Sequence, residues 1–329
     1  MSPIKAPSNL PELVKAAFDR ARTNGDLTYY TTQVTVLTVD STPFQLRFSP
    51  ALANKPTLQK PNTDKSRKPF DPFERPEGGP LFIADIPSTG HNLVLNKFAI
   101  VPEHFILATK DFEQQTNLLK PEDLAATYAC IDAYHRHAGE HGELYAFFNS
   151  GEHSGASQPH RHIQLLPVSC MKEGLPSESK WDVLAKQLDQ KHVSGVPFAT
   201  FGQKIHGDMT ATELHSIYLS LFREAVDAVE GHVGKVEDSG NGEAPISYNL
   251  AMTNSSLVVM PRFAEGSTIL DNGVPVGKLS LNGTVLAGTA LVKNEAEWNA
   301  LRLNSESNQL IGILAQIGIP KVGVNNKKL

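Results

Sequence analysis

Two histidines and a glutamine alternate with other residues in one short segment of the chain, at positions 160, 162 and 164. Residues two apart lie on the same face of a β-strand, so an extended conformation places His160, His162 and Gln164 side by side. An imidazole with its ordinary pKa of about 6.5 is largely neutral at pH 7 and is then a competent nucleophile. The spacing therefore favours covalent catalysis by histidine, which splits one difficult displacement into two easier ones.

Small residues precede the histidines. Gly155, Ala156 and Ser157 let backbone N–H groups approach a ligand closely, and the serine adds a hydroxyl donor. Successive N–H groups of this kind form an anion-binding nest that suits phosphate oxygens. A phosphate cradle beside two histidines indicates attack of an imidazole on phosphorus.

The same histidines have two other interpretations. They could be purely structural, or they could be part of a metal site. A zinc site needs further ligands, and His153 is the nearest candidate for a third. The adjacent cradle and the glutamine at 164 favour the nucleophile.

A mainly antiparallel sheet is predicted to position these residues, because several strand-like runs follow one another with few helices between them. The predicted class is α+β. Strands are expected at 27–40, 44–48, 81–86, 92–101, 105–109, 143–149, 160–168, 246–253 and 257–260; helices are expected from Pro11, at 121–135, near 180–189, and at 212–230, 295–301 and 308–317.

Two changes of composition divide the chain. Residues 50–80 are rich in Pro, Lys and Asp, which predicts a long surface loop. Residues 171–208 are rich in Gly, Lys and Ser, and we place a change of region there. The predicted regions are a catalytic one at 1–175 and a C-terminal one at 195–329 that completes the site. The string at 273–280 is one residue short of a phosphate-binding P-loop and has Leu279 where Ser or Thr is needed, so we reject that motif.

Five longer segments carry a resemblance to a known family. They are SPALANKP, LNKFAIVPEHFILATKDFEQQ, FFNSGEHSGASQPHRHIQLLP, SYNLAMTNSSLVVMPR and LNGTVLAGTALVKNEAEW. Their order and spacing resemble those of the fungal diadenosine tetraphosphate phosphorylases, also called ATP adenylyltransferases, in the transferase branch of the histidine-triad superfamily. The resemblance runs from about residue 25 to the last helix. It implies a histidine-triad-like antiparallel sheet flanked by helices, with an elaborated C-terminal region.

The resemblance also implies an activity. Family members cleave diadenosine tetraphosphate with phosphate to give ATP and ADP, and some exchange sulfate for phosphate on ADP. His162 would take up the nucleotidyl group, while His160 would orient the strand and fix the tautomer of His162 through its carbonyl group. Gln164 replaces the third histidine; an amide can bind a phosphate oxygen but cannot transfer a proton at neutral pH. Water is then poorly activated, and the intermediate can wait for phosphate.

Residues matching the family's substrate-binding positions extend the candidate site. They are Lys55, Asn96, Lys97, Asn149, Gly155, Ala156, Ser157, Gln158, Asn282, Gly283, Thr284, Thr289 and Lys293. The resemblance assigns Lys55 to the polyphosphate, Asn149 to the transferring phosphate and the residues from 282 onwards to the nucleotide. Thr289 stands where the family often has methionine.

Two other functions stay open. A sugar-nucleotide uridylyltransferase shares the HxHxQ core, although HPH is usual there and HRH is present here. A non-catalytic nucleotide sensor would bind diadenosine tetraphosphate without turnover. Comparing uridine with adenosine donors, and binding with turnover, separates these alternatives.

Bulk composition limits the partners. The net charge of −5 over 329 residues gives no sign of the basic face typical of nucleic-acid binders. No window has the length of a membrane span, and two cysteines fit a reducing compartment. We expect a cytoplasmic protein, with the nucleus as a second location, that is monomeric and binds small nucleotides and phosphate. No cofactor is expected to be required; Mg²⁺ would arrive with the polyphosphate, held mainly by substrate oxygens.

Overall fold

The structure, a computed structural model, describes residues 4–54, 70–137, 142–188, 195–237, 240–303 and 309–320. Its strands, in chain order, are β1 (Thr28–Tyr29), β2 (Gln33–Val39), β3 (Thr42–Phe48), β4 (Phe82–Ile86), β5 (His91–Leu95), β6 (Phe98–Ala99), β7 (Phe105–Thr109), β8 (Leu144–Ser150), β9 (His162–Pro167), β10 (Phe201–Lys204), β11 (Tyr248–Met252), β12 (Ser256–Pro261), β13 (Gly266–Asp271), β14 (Val274–Ser280) and β15 (Thr289–Val292). The helices are α1 (Leu10–Asn24), α2 (Pro121–His137), α3 (Val168–Met171), α4 (Ala211–Val233), α5 (Glu295–Leu303) and α6 (Gln309–Gln316), with 3₁₀ turns at Pro50–Asn54, Leu184–Gln187 and Gly283–Ala287.

An eight-stranded antiparallel sheet is the central element, in the order β10-β12-β11-β8-β9-β7-β5-β4. The expected α+β class is therefore confirmed. The strand that carries the histidines, β9, is near the middle of the sheet, between β8 and β7. Strands from both predicted regions of the chain form this one sheet, because β10, β11 and β12 extend the surface built by β4 to β9.

One face of the sheet is covered by α1, α2 and α4. Helix α4 begins at Ala211, one residue before the predicted start, where Thr210 and Glu213 form a reciprocal capping box. Residues at odd positions of β9, such as Ile163 and Leu165, point to this face and are fully buried. Apolar packing against the helices thus holds one face of β9 in place.

The opposite face is covered in two parts. Toward β8 and β12, Tyr145 and Phe147 pack against the C-terminal segments, including β15 and α5. Toward β5 and β7, a small cluster forms around Phe73. A second, three-stranded sheet, β15-β3-β2, joins the C-terminal segments to the N-terminal ones through the parallel pair β15–β3.

Residues 274–280 form β14, which pairs with β13 in a hairpin that the sequence analysis did not predict. Asn272 and Gly273 have φ values of 49° and 81°, as a two-residue hairpin turn requires. The Asn-Gly pair between two apolar runs was the available signal. The helix expected near 180–189 is only a short 3₁₀ turn, and the strand expected at 92–101 is broken between β5 and β6.

The loop predicted at 50–80 is correct only in part. Residues 55–69 lie outside the described residues, but 50–54 form a 3₁₀ turn and Phe73 is buried. Within the described ranges, no helix is both long and apolar enough to cross a membrane.

Candidate active site

His162 is the first residue of β9 and lies in a row of polar side chains that crosses the sheet. It pairs with Ala108 of β7, which pairs with Asn92 of β5. On the other side, the β8–β9 ladder ends at Phe147–Gln164, two residues before the position where Asn149 would face His162. Asn149 in turn pairs with Asn249 of β11. Cross-strand partners share a face, so these residues all point to the side away from the helices.

The His162 ring is held in one orientation and is deeply buried, with 3% of the residue exposed. Its Nδ1 lies 2.8 Å from the carbonyl oxygen of His160. Since a carbonyl only accepts, Nδ1 carries the proton and Nε2 keeps its lone pair. Burial is the largest influence on the group and lowers the pKa of His162 to about 4, against opposing contributions from the His160 carbonyl and Asp71. The ring is therefore neutral, and nucleophilic at Nε2, at physiological pH.

His160 precedes β9 but joins the same face through an isolated bridge to Gln114. Its Nδ1 lies 2.7 Å from a carboxylate oxygen of Asp71, and its Nε2 lies 2.8 Å from the carbonyl oxygen of Thr109. Both ring nitrogens thus face protein oxygens, so His160 is anchored rather than free to attack. This anchoring fixes the carbonyl that orients His162.

Phe73 packs on both histidines, with ring centroids 5.6 Å from His160 and 5.1 Å from His162. The ring of Phe112 also packs on His160, with 5.3 Å between the two ring centroids. The sequence reading missed Asp71 and Phe73 because the Pro- and Lys-rich composition predicted only a loop. Phe70 and Phe73 both lie in that polar stretch, but Phe70 is exposed and Phe73 is buried, so residue type alone does not predict which one packs on the histidines.

Arg161 points to the opposite face, as alternation requires, and is buried. Its Nη1 lies 3.0 Å from Asp123 near the start of α2, and the other oxygen of that carboxylate lies 2.8 Å from Nε2 of His91. Burial alone would raise the pKa of Asp123, but the hydrogen bond from His91 and the charge of Arg161 hold it below its ordinary value. This group ties β9 to α2 behind the histidines.

The predicted cradle is a loop with one left-handed glycine. Gly155 has φ of 79°, and a Cβ there would lie 2.8 Å from Cβ of Asn282 and 3.0 Å from the carbonyl oxygen of Leu281. Ala156 and Ser157 are exposed. Within the described ranges, the backbone N–H groups of Ser157 and Gln158 meet no protein acceptor. These donors are free for an anion.

The C-terminal segment reaches this loop through Asn149. The side-chain oxygen of Asn149 accepts hydrogen bonds from Asn249 at 2.9 Å and from the backbone N–H of Gly283 at 2.8 Å. Asn249 also donates to the carbonyl oxygen of Ser154 and is contacted by Arg262. Asn249 and Arg262 were missed from the sequence, although both lie in a segment that carries the resemblance.

Gln115 is a further residue that the sequence analysis missed. Its Oε1 accepts from the backbone N–H of His162 at 2.8 Å, and its Nε2 donates to the carbonyl oxygens of Asn149 at 2.8 Å and of His162 at 3.2 Å. The residue is buried. It ends a segment that carries the resemblance, but nothing in its spacing distinguishes it from Gln114.

The structure brings only some of the remaining predicted residues close to His162 and the cradle. Asn282 and Thr284 are linked by side-chain hydrogen bonding next to Gly283, while Thr289 is buried with its hydroxyl 3.3 Å from Gln45. Lys293 follows β15 and lines a separate cavity of about 530 Å³ with Phe48, Trp298 and Arg302 among others.

The pair at the end of β5 is also remote from the nucleophile. Asn96 bonds to the ring of His104, and exposed Lys97 lies over Phe98. Asn96 and Lys97 come directly after Leu95, which pairs with Phe105. Phe105 pairs with Leu165, which lies three residues along β9 from His162. Lys55 lies outside the described residues.

Comparisons with known proteins give a consistent result. Residues 2–180 match the family model described as the Ap4A phosphorylase N-terminal domain, and residues 194–320 match the ATP adenylyltransferase C-terminal domain. Two proteins of Saccharomyces cerevisiae are similar over 95% of this chain and 95% of their own. Protein APA1 is 26% identical over 327 residues, and diadenosine 5',5'''-P1,P4-tetraphosphate phosphorylase 2 is 28% identical over 330 residues.

The fold is similar to the crystal structure of yeast Ap4A phosphorylase Apa2, with a TM-score of 0.72 and 26% identity, over 96% of this chain and 99% of that chain. Crystal structures of the same yeast protein in complex with AMP and with Ap4A give TM-scores of 0.72 and 0.71 at 24% identity. They cover 97% and 96% of this chain, and 99% of the yeast chain in each case.

Proposed function

The chain belongs to the Ap4A phosphorylase family, whose N-terminal domain model it matches over residues 2–180, and on that premise we propose that it cleaves diadenosine tetraphosphate with phosphate to give ATP and ADP. The class of ligand is a small nucleotide, and the enzyme is a nucleotidyltransferase. The related yeast phosphorylase, 28% identical to this chain, supports the substrate by its name.

One observation carries the mechanism. Nδ1 of His162 donates to the carbonyl oxygen of His160, which leaves the lone pair on Nε2. Because the ring is neutral and has a fixed tautomer, Nε2 is ready to attack without losing a proton first.

In the first step, Nε2 of His162 attacks the α-phosphorus of one adenosine end. A bond forms between nitrogen and phosphorus, and the bond from that phosphorus to the bridging oxygen breaks. ATP leaves with the bridging oxygen, and AMP remains on the ring as a phosphoramidate. The ring then gains positive charge, so its hydrogen bond to the His160 carbonyl becomes charge-assisted and stronger.

Charge on the transferring phosphoryl group needs donors already in place. The oxygen of the Asn149 side chain is occupied by Asn249 and Gly283, which leaves its Nδ2 as the group that can donate to phosphate. The backbone N–H groups of Ser157 and Gln158, which meet no acceptor among the described residues, support the cradle, and Gly155 and Ala156 allow close approach. Gln164, half-buried on the same face, contributes an amide, and Lys55 contributes a cation.

In the second step, an oxygen of inorganic phosphate attacks the adenylyl phosphorus, the N–P bond breaks, and ADP leaves. His162 returns to its neutral form. Sulfate as the attacking anion would give the corresponding mixed anhydride, which is the basis of a proposed second activity on ADP.

The nucleoside contacts are proposed with unequal support. Asn282, Gly283 and Thr284 adjoin the cradle, so the geometry favours a role in holding the nucleotide. Asn96, Lys97, Thr289 and Lys293 depend on the family resemblance alone.

The remaining proposals concern the whole protein. One chain supplies all eight strands of the central sheet, which supports a monomer. Both cysteines are unpaired and buried, which fits the cytoplasm, with the nucleus as a second location. No resident cofactor is proposed; Mg²⁺ enters with the polyphosphate.

A product assay tests the function. The protein is incubated with diadenosine tetraphosphate with and without ³²P-labelled phosphate, and the nucleotides are separated. Phosphorolysis gives ATP and labelled ADP only when phosphate is present. AMP and ATP in plain buffer would instead mean hydrolysis, and turnover of uridine donors alone would mean a uridylyltransferase.

Trapping tests the intermediate. With adenine-labelled substrate and no phosphate, an alkaline quench should leave label on the wild-type protein and on His135→Ala, an exposed histidine at the end of α2. His162→Ala should carry none, and its turnover should fall by on the order of 10⁴-fold or more. Label on His162→Ala would refute the proposed nucleophile.

A further inference from the structure

Strands β8 and β9 separate just where the nucleophile lies. Their backbone ladder pairs Leu144 with Pro167 and continues to Phe147–Gln164, where it stops. Two residues further along each strand, the same register would place Asn149 opposite His162. Both residues are buried, so their backbone groups need other partners.

The side chain of Gln115 supplies those partners. Its carboxamide accepts from the N–H of His162 and donates to the carbonyl oxygens of both His162 and Asn149. An amide group has the same donor and acceptor types as a peptide unit. It therefore takes the place of the missing ladder bonds and spaces the two strands by its own width.

The position of this side chain is set by its own backbone. The N–H of Gln115 donates to the carbonyl oxygen of Pro159 at 2.8 Å, and two residues earlier Glu113 accepts from the N–H of Arg161 at 2.7 Å. The segment thus runs along the residues that lead into β9. With 2% of the residue exposed, Gln115 has few other conformations available.

We propose that Gln115 is a positioning residue for the phosphorolysis proposed above: its carboxamide, inserted between β8 and β9, sets the separation of His162 from Asn149 and aims Nε2 of His162 along the line of attack. The His160 carbonyl fixes rotation of the ring, whereas Gln115 fixes the backbone from which the ring projects. Gln115 touches neither substrate nor the reacting atoms.

This role has a kinetic signature. Attack by Nε2 and its later displacement pass through the same N–P line, so a displaced ring slows both half-reactions. Misplacement of a reacting group by about 1 Å can cost on the order of 10²-fold in rate. The nucleotide contacts of the cradle and the 282–284 segment are made elsewhere, so KM should change much less than kcat.

Gln114 offers a matched control. It is the same residue type one position earlier, and its side chain is exposed. Among the described residues, its hydrogen bonds are made by its backbone. The test compares wild type, Gln115→Ala, Gln115→Met and Gln114→Ala in single-turnover reactions with adenine-labelled diadenosine tetraphosphate. Methionine keeps the length and approximate volume of glutamine but removes its three hydrogen bonds.

In these reactions, the amplitude of adenylyl-enzyme formation measures the fraction of enzyme with a folded site. The rate constant measures how well each folded site is aligned for attack. We expect both Gln115 variants to lose on the order of 10²-fold in the rate constants of both half-reactions, with full amplitude in Gln115→Met and wild-type behaviour in Gln114→Ala. Wild-type rate constants in the Gln115 variants, or a loss of amplitude at an unchanged rate constant, would overturn the inference and leave Gln115 only a role in folding. If the wild type itself forms no adenylyl-enzyme, the proposed function is wrong and this inference is wrong with it. If the wild type reacts and the Gln115 variants react at the same rate, only this inference is wrong.

Discussion

The ring of His162 donates from Nδ1 to the carbonyl oxygen of His160, two residues earlier in the chain, over 2.8 Å. The HxH spacing therefore has two consequences at once. It places both imidazoles on one face, and it makes the backbone of the first histidine the partner of the second ring. The proton on Nδ1 and the lone pair on Nε2 follow from this single contact.

The rate of adenylylation should depend on pH in an unusual way. Burial lowers the pKa of His162 to about 4, so the reactive neutral form persists down to low pH. Both ends of the substrate's polyphosphate are esterified, so the substrate has no secondary phosphate ionisation of its own. We expect a single-turnover rate that is flat from about pH 8 to about pH 6 and falls as pH approaches 4, below the usual histidine range. A midpoint near 6.5 would contradict the burial argument.

The same pKa predicts a contribution to stability. The unfolded state binds a proton at His162 below about pH 6.5, whereas the folded state binds it only below about 4. Stability from this group is therefore present above about pH 6.5 and is lost as pH falls toward 4. Urea unfolding of wild type and His162→Gln across this window should show a smaller loss in the variant. Parallel curves would contradict the prediction.

Asp71 should matter for rate through His160. Its carboxylate lies 2.7 Å from Nδ1 of a ring whose carbonyl orients the nucleophile. A hydrogen bond to a charged group is worth about 1.5–3 kcal/mol, so Asp71→Asn should lower kcat by roughly 10- to 100-fold. Asp85→Asn, which breaks an exposed pair with Lys110, is the control and should be near wild type. Equal kcat values in the two variants would count against an anchoring role.

The cradle should not tolerate a side chain at position 155. Gly155 has a left-handed φ of 79°, and an added Cβ would lie 3.0 Å from the carbonyl oxygen of Leu281. Gly155→Ala should raise KM for the dinucleotide, because the added methyl group pushes the 155–158 loop away from residues 281–283. Gly273→Ala is the matched control, because φ is 81° there but nothing lies within 4 Å; it bears only the backbone strain of about 1 kcal/mol. A KM unchanged in Gly155→Ala would show that the loop does not hold the substrate.

The residues found from the sequence and those missed differ in how far their partners lie along the chain. His162 and Gln164 belong to one strand and His160 lies just before it, so period-two alternation places all three on one face without any knowledge of the fold. The Gly155 loop adjoins that strand, so its role also follows from local composition. Helix α4 was predictable for the same reason, since its capping box is contained within four residues.

Asp71, Gln115 and Asn249 act on partners 89, 47 and 100 positions away. Nothing in the local sequence distinguishes Gln115 from Gln114. The role of Gln115 follows from the tertiary structure, in which its carboxamide bonds to backbone groups beyond the end of the β8–β9 ladder. The β13–β14 hairpin is a different kind of miss. Its Asn-Gly turn was a local signal, and the rejected P-loop interpretation occupied the same residues.

Asp123 should be a stability residue rather than a rate residue. It compensates buried Arg161 and also contacts buried His91. Removal of one partner from a buried ion pair costs about 3–5 kcal/mol because the other charge stays buried. Asp123→Ala should therefore lower the free energy of unfolding by about that amount in urea. Asp132→Ala removes an exposed i,i+4 pair with Arg136 from the same helix and should cost less than about 1 kcal/mol; similar losses in both would refute the pairing argument.

Gln164 should decide which nucleophile completes the reaction. It points to the same face as His162, two residues along β9, and is half-buried, but its amide can neither accept nor release a proton at neutral pH. Gln164→His places a titratable ring at that position, where it can activate water. The product ratio with labelled phosphate should then move from ADP toward AMP. Gln164→Asn, an amide without proton chemistry, is the control and should keep ADP as the product even if the rate falls. An AMP fraction that does not rise in Gln164→His, or that rises equally in Gln164→Asn, would mean that water is excluded by something other than the missing proton acceptor.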